Sequence, residues 1–194
     1  MRLNCNSFFD GDFNFINLNH FYLRHKHLIA DNKNPQHLQQ TLNTLGKNTY
    51  GGYAEDRRDI WHGSYLDNHQ NYIHLGIDIN IAAGFSIRCP FDANVVDIFT
   101  DTDTKIGWGG RLILKQNDSP YLILAHINPT TLINKSFVKK GEYLGAVGTW
   151  PTNGNVFEHL HVQAVKHLNF NTLDGYGYVH DLHNNPDPFQ IDFL

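Results

Sequence analysis

His74-Leu75-Gly76-Ile77-Asp78-Ile79-Asn80-Ile81 is the stretch that decides the fold. Read with a period of two, it places His74, Gly76, Asp78 and Asn80 on one face and Leu75, Ile77, Ile79 and Ile81 on the other. That alternation predicts a half-buried β-strand with one apolar and one polar face. A helix would also bring His74 and Asp78 together, because they are four residues apart. It would, however, scatter the alternate isoleucines around the helix, and β-branched side chains lose rotamer freedom there. The strand reading therefore stands. It aims an imidazole and a carboxylate the same way, two pleats apart, as two ligands of one cation require.

Two further stretches answer the first. In His159-Leu160-His161-Val162-Gln163, the residues His159, His161 and Gln163 share one face, and Leu160 and Val162 share the other. Tyr121-Leu122-Ile123-Leu124-Ala125-His126-Ile127 is an apolar run with a single histidine near its end. Zinc favours imidazole nitrogen and carboxylate oxygen, and catalytic zinc sites keep one position open for water. Three strands that deliver His, Asp and further His residues suit that chemistry.

At these residues the chain resembles the lysostaphin/LytM-type zinc endopeptidases, which cut peptide bonds in peptidoglycan. The family pattern is His-x-x-x-Asp, then a lone His after an apolar strand, then His-x-His. Here the three appear in order as HLGID, LAHI and HLHV. The likeness continues through Gly84 to Val96 and Val138 to Gly148, and spans Tyr72 to Ala164, about half of the chain. Short histidine motifs are individually weak, but an ordered set on the right faces of predicted strands is specific. The resemblance implies a mainly β fold: an antiparallel sheet or sandwich with a zinc groove, of the duplicated hybrid motif kind, plus an N-terminal helical region. It also implies one Zn2+ per chain, with His74, Asp78 and His161 as its ligands. His126 and His159 would stand beside the open position as the catalytic residues. With no HExxH helix present, these histidines must carry the proton transfers.

Two positions depart from the family. Glu158 stands where a proline often precedes His-x-His, and Leu124 stands where an aromatic often lies two residues before the lone His. Glu158 would either support an imidazole or point away, since its strand parity is opposite to that of His159. The function implied is hydrolysis of a peptide bond in peptidoglycan stems or cross-bridges. The rivals are a catalytically silent peptidoglycan-binding module of the same fold, and an intracellular zinc amide or peptide hydrolase.

Composition narrows the classes. A chain of 194 residues with 41% hydrophobic and 18% charged residues suits one domain with a sizeable core. No apolar run approaches membrane-spanning length. A net charge of -4 leaves no basic footprint for nucleic acid. The opening MRLNCNSFFDGDFNFINLN lacks the pattern of a signal peptide, although the implied substrate lies in the cell wall or periplasm, so the compartment stays open. Cys5 and Cys89 have no framework spacing and read as free thiols.

Along the chain, residues 1–50 are expected to form a helical appendage and 51–194 the β domain. Helical character is expected from Asn17 to about Leu45, interrupted near Asn34-Pro35 and capped by Gly46. His20, His25, His27 and His37 are expected as exposed helix residues. Tyr50 to His69 reads as a loop in which Glu55, Arg57 and Arg58 either bind a substrate carboxylate or form local solvated pairs. Trp61 is a packing anchor. Ser86–Arg88, Asn94–Thr100 and a hairpin of Arg111–Lys115 with Pro120–Ile127 are predicted strands, and Pro129–Lys135 a short helical turn. The turn at Lys139–Glu142 feeds Tyr143–Val147. The tail from Lys166 is expected to be irregular, with His167, His180 and His183 off the site.

Overall fold

The structure, a computed structural model, describes residues 1–20, 23, 35–101 and 107–193. In chain order its elements are β1 (Asn14–Phe15), α1 (Pro35–Leu45), β2 (Thr49–Gly51), a helical turn at Arg58–Trp61, β3 (Ile73–His74) and β4 (Ile77–Asn80). There follow β5 (Ser86–Arg88), β6 (Ala93–Thr100), β7 (Gly110–Lys115), β8 (Tyr121–Ile127), β9 (Phe137–Val138), β10 (Tyr143–Ala146), β11 (Leu160–Val165) and β12 (Tyr176–Gly177). The protein is mainly β. Eight strands form one sheet in the order β1-β2-β4-β11-β8-β7-β6-β9, and β10-β5 and β12-β3 form two small ribbons. Among the described residues, every strand pairing is antiparallel except β1 with β2.

The centre of the sheet is apolar on both faces, which explains the unbroken runs in β7 and β8. Leu112, Leu114, Leu122 and Leu124 join Ile77, Ile79, Leu160 and Val162 in the main core. Ile113, Ile123 and Val165 form a smaller cluster on the other side. Each such side chain contributes about 1.5–3 kcal/mol on burial. Leu3, Phe8, Phe9 and Phe193 belong to the same main core, so both ends of the chain pack into it.

In α1, Leu38 and Leu42 are four residues apart and share a face. They pack with Ile16, Leu18, Ile60, Trp61, Val156 and Phe157. Pro35 opens this helix, as suits a residue with no amide to donate. Gly46, at φ +144°, follows its end.

Several expectations need correction. The strand expected over 74–81 is two strands with a break at Leu75-Gly76: β3 pairs with β12, while β4 pairs with β2 and β11. β4 is buried on both faces rather than half-buried, because a buried polar cluster covers its Asp78 side. Asn17, Asn19 and the residue between are not helical, although His20 and Leu23 are; 21, 22 and 24–34, with His25 and His27, lie outside the described residues. His20 is buried rather than exposed, whereas His37 is exposed. Pro129–Lys135 forms a turn closed by Thr131 N–H donating to the Asn128 carbonyl, then extended chain. The tail is not wholly irregular, because it supplies β12. Cys5 and Cys89 are free and buried, and burial pushes their thiols up to about 12 and about 11. Among the described residues, no helix is long and apolar enough to cross a membrane.

Candidate metal centre

β11 lies between β4 and β8, with His161 paired to Asp78 on one side and to Ala125 on the other. Cross-strand partners on one face are close neighbours. His161 and Asp78 therefore meet directly, and β3 brings in His74. His161 Nδ1 is 3.1 Å from Asp78 Oδ1 and 3.1 Å from His74 Nε2, and His74 Nε2 is 3.3 Å from Asp78 Oδ1. A tetrahedral zinc with bonds of about 2.0–2.1 Å spaces its ligands about 3.3 Å apart. The triangle has that size.

The outer nitrogens of the imidazoles fix which atoms face inward. His74 Nδ1 donates to the Gly52 carbonyl at 3.1 Å, and His161 Nε2 donates to Gln163 Oε1 at 3.0 Å. Their inward nitrogens are then lone pairs, and Asp78 Oδ1 is a third acceptor. Three buried acceptors so close repel one another unless a cation lies between them. The donor set of two imidazoles and a carboxylate suits zinc, and each ligand has the outer partner such sites use for orientation. The residues fit a divalent metal.

His126 and His159 are also brought here. Their rings lie 4.4 Å apart between centroids, and His126 is 6.1 Å from His161. His126 Nδ1 donates to the Asn153 carbonyl and His159 Nδ1 to the Phe157 carbonyl, both at 2.8 Å. Each thus keeps an inward Nε2 lone pair. His159 Nε2 lies 3.4 Å from Asp78 Oδ1.

His126 reaches the site through a bulge. Leu122 and Leu124 face the core, so simple alternation would turn His126 into it as well. Between Leu124 and Ile127, β8 spends one residue more than β7 does between Gly110 and Leu112. His126 takes the left-handed backbone at φ +63°. Bulges re-aim side chains in this way, and a non-glycine residue held in the left-handed region carries backbone strain. Ile127 then takes the core position.

Burial, and then the Arg57 charge, bring the His74 pKa down to about 3. Burial lowers His159 to about 4 against the pull of Asp78. Burial, then His159 and His161, place His126 well below its ordinary value. Burial alone would raise the Asp78 pKa, but nearby positive charge outweighs it and holds the carboxyl well below its ordinary value; with His74 and His159 neutral, that charge is the Arg57 guanidinium.

Arg57 and Glu55 are neither a substrate groove nor a solvated pair. Arg57 is 1% exposed; its Nη1 donates to Asp78 Oδ2 at 2.5 Å and its Nε to Glu55 Oε2 at 3.0 Å. Arg58 alone behaves as a surface pair, bonded to Asp56. Gly52 makes room for this cluster, because a Cβ there would meet Arg57 Nη2 at 2.5 Å and His74 Nδ1 at 2.7 Å. Glu158 points away from the imidazoles, accepting from Ala83 N and Thr149 Oγ1. His167, His180 and His183 lie off the site.

The triangle opens into a cleft of about 420 Å³ lined by Trp61, Tyr65, Trp108, His126, Val156, Phe157, His159, Asp174 and Tyr176. Trp61, expected only to anchor packing, meets Tyr176 edge to face with 5.1 Å between centroids. Tyr176 and Asp174 were missed in the tail. The signal for them was Gly175-Tyr176-Gly177-Tyr178, an aromatic alternation suited to a short strand.

Residues 72–173 match the model of Peptidase family M23. No curated protein matches the chain in sequence. Among solved structures, the catalytic domain of the antimicrobial peptidase lysostaphin from Staphylococcus simulans is 20% identical, with a TM-score of 0.47 over 70% of this chain and 92% of that one. A zinc-containing peptidase from Vibrio cholerae is 17% identical, with a TM-score of 0.45 over 63% of this chain; the match spans 32% of that longer chain. The prophage-encoded M23 protein EnpA from Enterococcus faecalis, as a mutant catalytic domain, is 20% identical, with a TM-score of 0.42 over 60% of this chain and 76% of that one.

Proposed function

The chain belongs to Peptidase family M23, and from that premise we propose that it is a zinc-dependent endopeptidase cutting peptide bonds in peptidoglycan stems or cross-bridges. The observation that carries this reading is the convergence of three inward-facing acceptors from His74, Asp78 and His161, within 4.8 Å of one another, at the floor of an open cleft. These residues would hold the metal. When bound, it supplies a Lewis acid for the scissile carbonyl and lowers the pKa of a water to about 7.

The chain's own groups do the rest. His126 and His159 are neutral at pH 7 and keep Nε2 free, so either accepts a proton from the attacking water. The resulting imidazolium returns the proton to the leaving amine. Trp61, Trp108 and Phe157 give the cleft apolar walls that hold an extended peptide and limit water around the reacting bond.

The test is to incubate the metal-loaded protein with purified peptidoglycan fragments and analyse the products by mass. New termini within stem or bridge peptides are expected, and none with Asp78→Ala, whose metal content should fall sharply. Binding of the fragments without cleavage would instead establish a silent module, and cleavage confined to soluble peptides an amide hydrolase of another compartment.

A further inference from the structure

Asp78 presents its two oxygens to different worlds. Oδ1 lies within 3.1–3.4 Å of His161 Nδ1, His74 Nε2 and His159 Nε2. Oδ2 is turned outward and receives Arg57 Nη1 at 2.5 Å. Arg57 is itself held in place: its Nε donates to Glu55 Oε2 at 3.0 Å, and Tyr176 OH lies 3.4 Å from Nη1. Glu55 in turn accepts Leu18 N–H on Oε1 at 3.0 Å. A guanidinium with two carboxylates on separate nitrogens is fixed in direction as an ammonium is not.

The charges add up in a particular way. Glu55 and Arg57 cancel, so the negative charge of Asp78 remains available to a cation at Oδ1. The arrangement therefore removes one oxygen of Asp78 from coordination without removing its charge. That matters for geometry. Calcium and magnesium take six or more oxygens, and calcium often takes a carboxylate through both oxygens. Four-coordinate zinc needs only one from each ligand.

We infer that Arg57, anchored by Glu55, is a positioning residue that clamps Asp78 as a one-oxygen ligand and so keeps the bound metal four-coordinate. The inference rests on the metal-site reading above. Released from Arg57, Asp78 can turn both oxygens inward; the metal then gains a fifth donor at the position that water and substrate need.

Cobalt(II) substitution reads this directly, because four-coordinate cobalt(II) absorbs visible light far more strongly than five- or six-coordinate cobalt(II). Native protein should bind one cobalt(II) with the intense four-coordinate spectrum. Arg57→Met should lose that band several-fold, and its preference for zinc over manganese(II) should fall at least tenfold in competition dialysis. Arg57→Lys, which keeps a cationic donor but not the fixed fork, should restore the band only in part. Glu55→Gln leaves Arg57 on Asp78 but unbalances the charge; its spectrum should stay native while zinc affinity drops about tenfold, within the range of outer-partner losses.

A native spectrum in Arg57→Met overturns the clamp. If Arg57→Met does not fold, Glu55→Gln decides, and unchanged zinc affinity there overturns the anchored clamp. Failure of the native chain to bind cobalt(II) or zinc refutes the metal site itself and the clamp with it. A folded Arg57→Met that binds metal with a native spectrum refutes the clamp alone.

Discussion

Gly76 lies against the ring of His161: a Cβ on residue 76 would stand 2.7 Å from His161 Cε1 and 2.7 Å from the Val162 carbonyl oxygen. The break between β3 and β4 is thus the place where the His161 imidazole passes the backbone of the neighbouring strand. Only a residue without a side chain leaves that path open.

Gly76→Ala should therefore damage the site before it damages the fold. Relieving the overlap costs about 1–3 kcal/mol, as for other overpacked interiors, and the mobile partner is the His161 ring. Zinc affinity should fall by roughly tenfold or more, while the circular dichroism spectrum stays β-type. Equilibrium dialysis beside a thermal melt checks this. A variant with native zinc affinity would show that His161 is placed by other contacts.

His126→Ala and His159→Ala should separate chemistry from metal binding. Neither inward nitrogen is needed to complete the His74, Asp78 and His161 triangle. Each variant should keep most of its zinc and lose turnover by roughly 10²–10⁴-fold, the usual worth of a positioned acid or base. Metal content and cleavage are to be measured on the same samples. Loss of zinc from either would move that histidine into the ligand set.

The metal-free protein should be acid-labile. His74 and His159 have folded pKa values of about 3 and about 4 against an ordinary 6.5. In the fold they stay neutral, and on unfolding below pH 6.5 they take up protons. The unfolded state therefore binds more protons, so the stability is fully present above about pH 6.5 and is lost as the pH falls toward 4. The slope is about 1.4 kcal/mol per pH unit for each such histidine at full uptake. Melts of chelated protein from pH 8 to 4.5 should show it, and saturating zinc should raise the melting temperature by mass action. A flat profile in the chelated protein would contradict the buried, neutral histidines.

Leu42→Ala tests the helical segment. Leu42 is 2% exposed and packs with Trp61, Val156 and Phe157, which also line the cleft. Deleting it should cost about 2–5 kcal/mol. Zinc affinity should hold, because no metal-facing atom belongs to that cluster, whereas KM should rise as the cleft wall loosens. A fall in zinc affinity equal to that of Asp78→Ala would tie α1 to the metal directly.

By itself, the sequence determined the mainly β architecture and the composition of the centre. Period-two alternation in 77–81 and 159–163 fixes which side chains share a face, and a strand can satisfy that pattern in only one way. Alternation made the polar faces carrying Asp78 and His161 legible, whereas the grouping of His74, Asp78 and His161 came from the family resemblance, since the strand breaks between His74 and Asp78. What β-pairing and the bulge decided was not local. Alternation turns His126 toward the core; only the extra residue opposite β7 and the left-handed backbone rotate it to His159. Arg57 and Glu55 read as a polar loop because nothing adjacent in the chain needs a buried charge; Asp78, 21 residues on, supplies the need. Tyr176 and Asp174 join the cleft because β12 pairs with β3 across about a hundred residues. Face and periodicity are properties of a segment and can be read from it. Which buried charge meets which partner depends on chain closure over long separations, and the tertiary structure alone decides it.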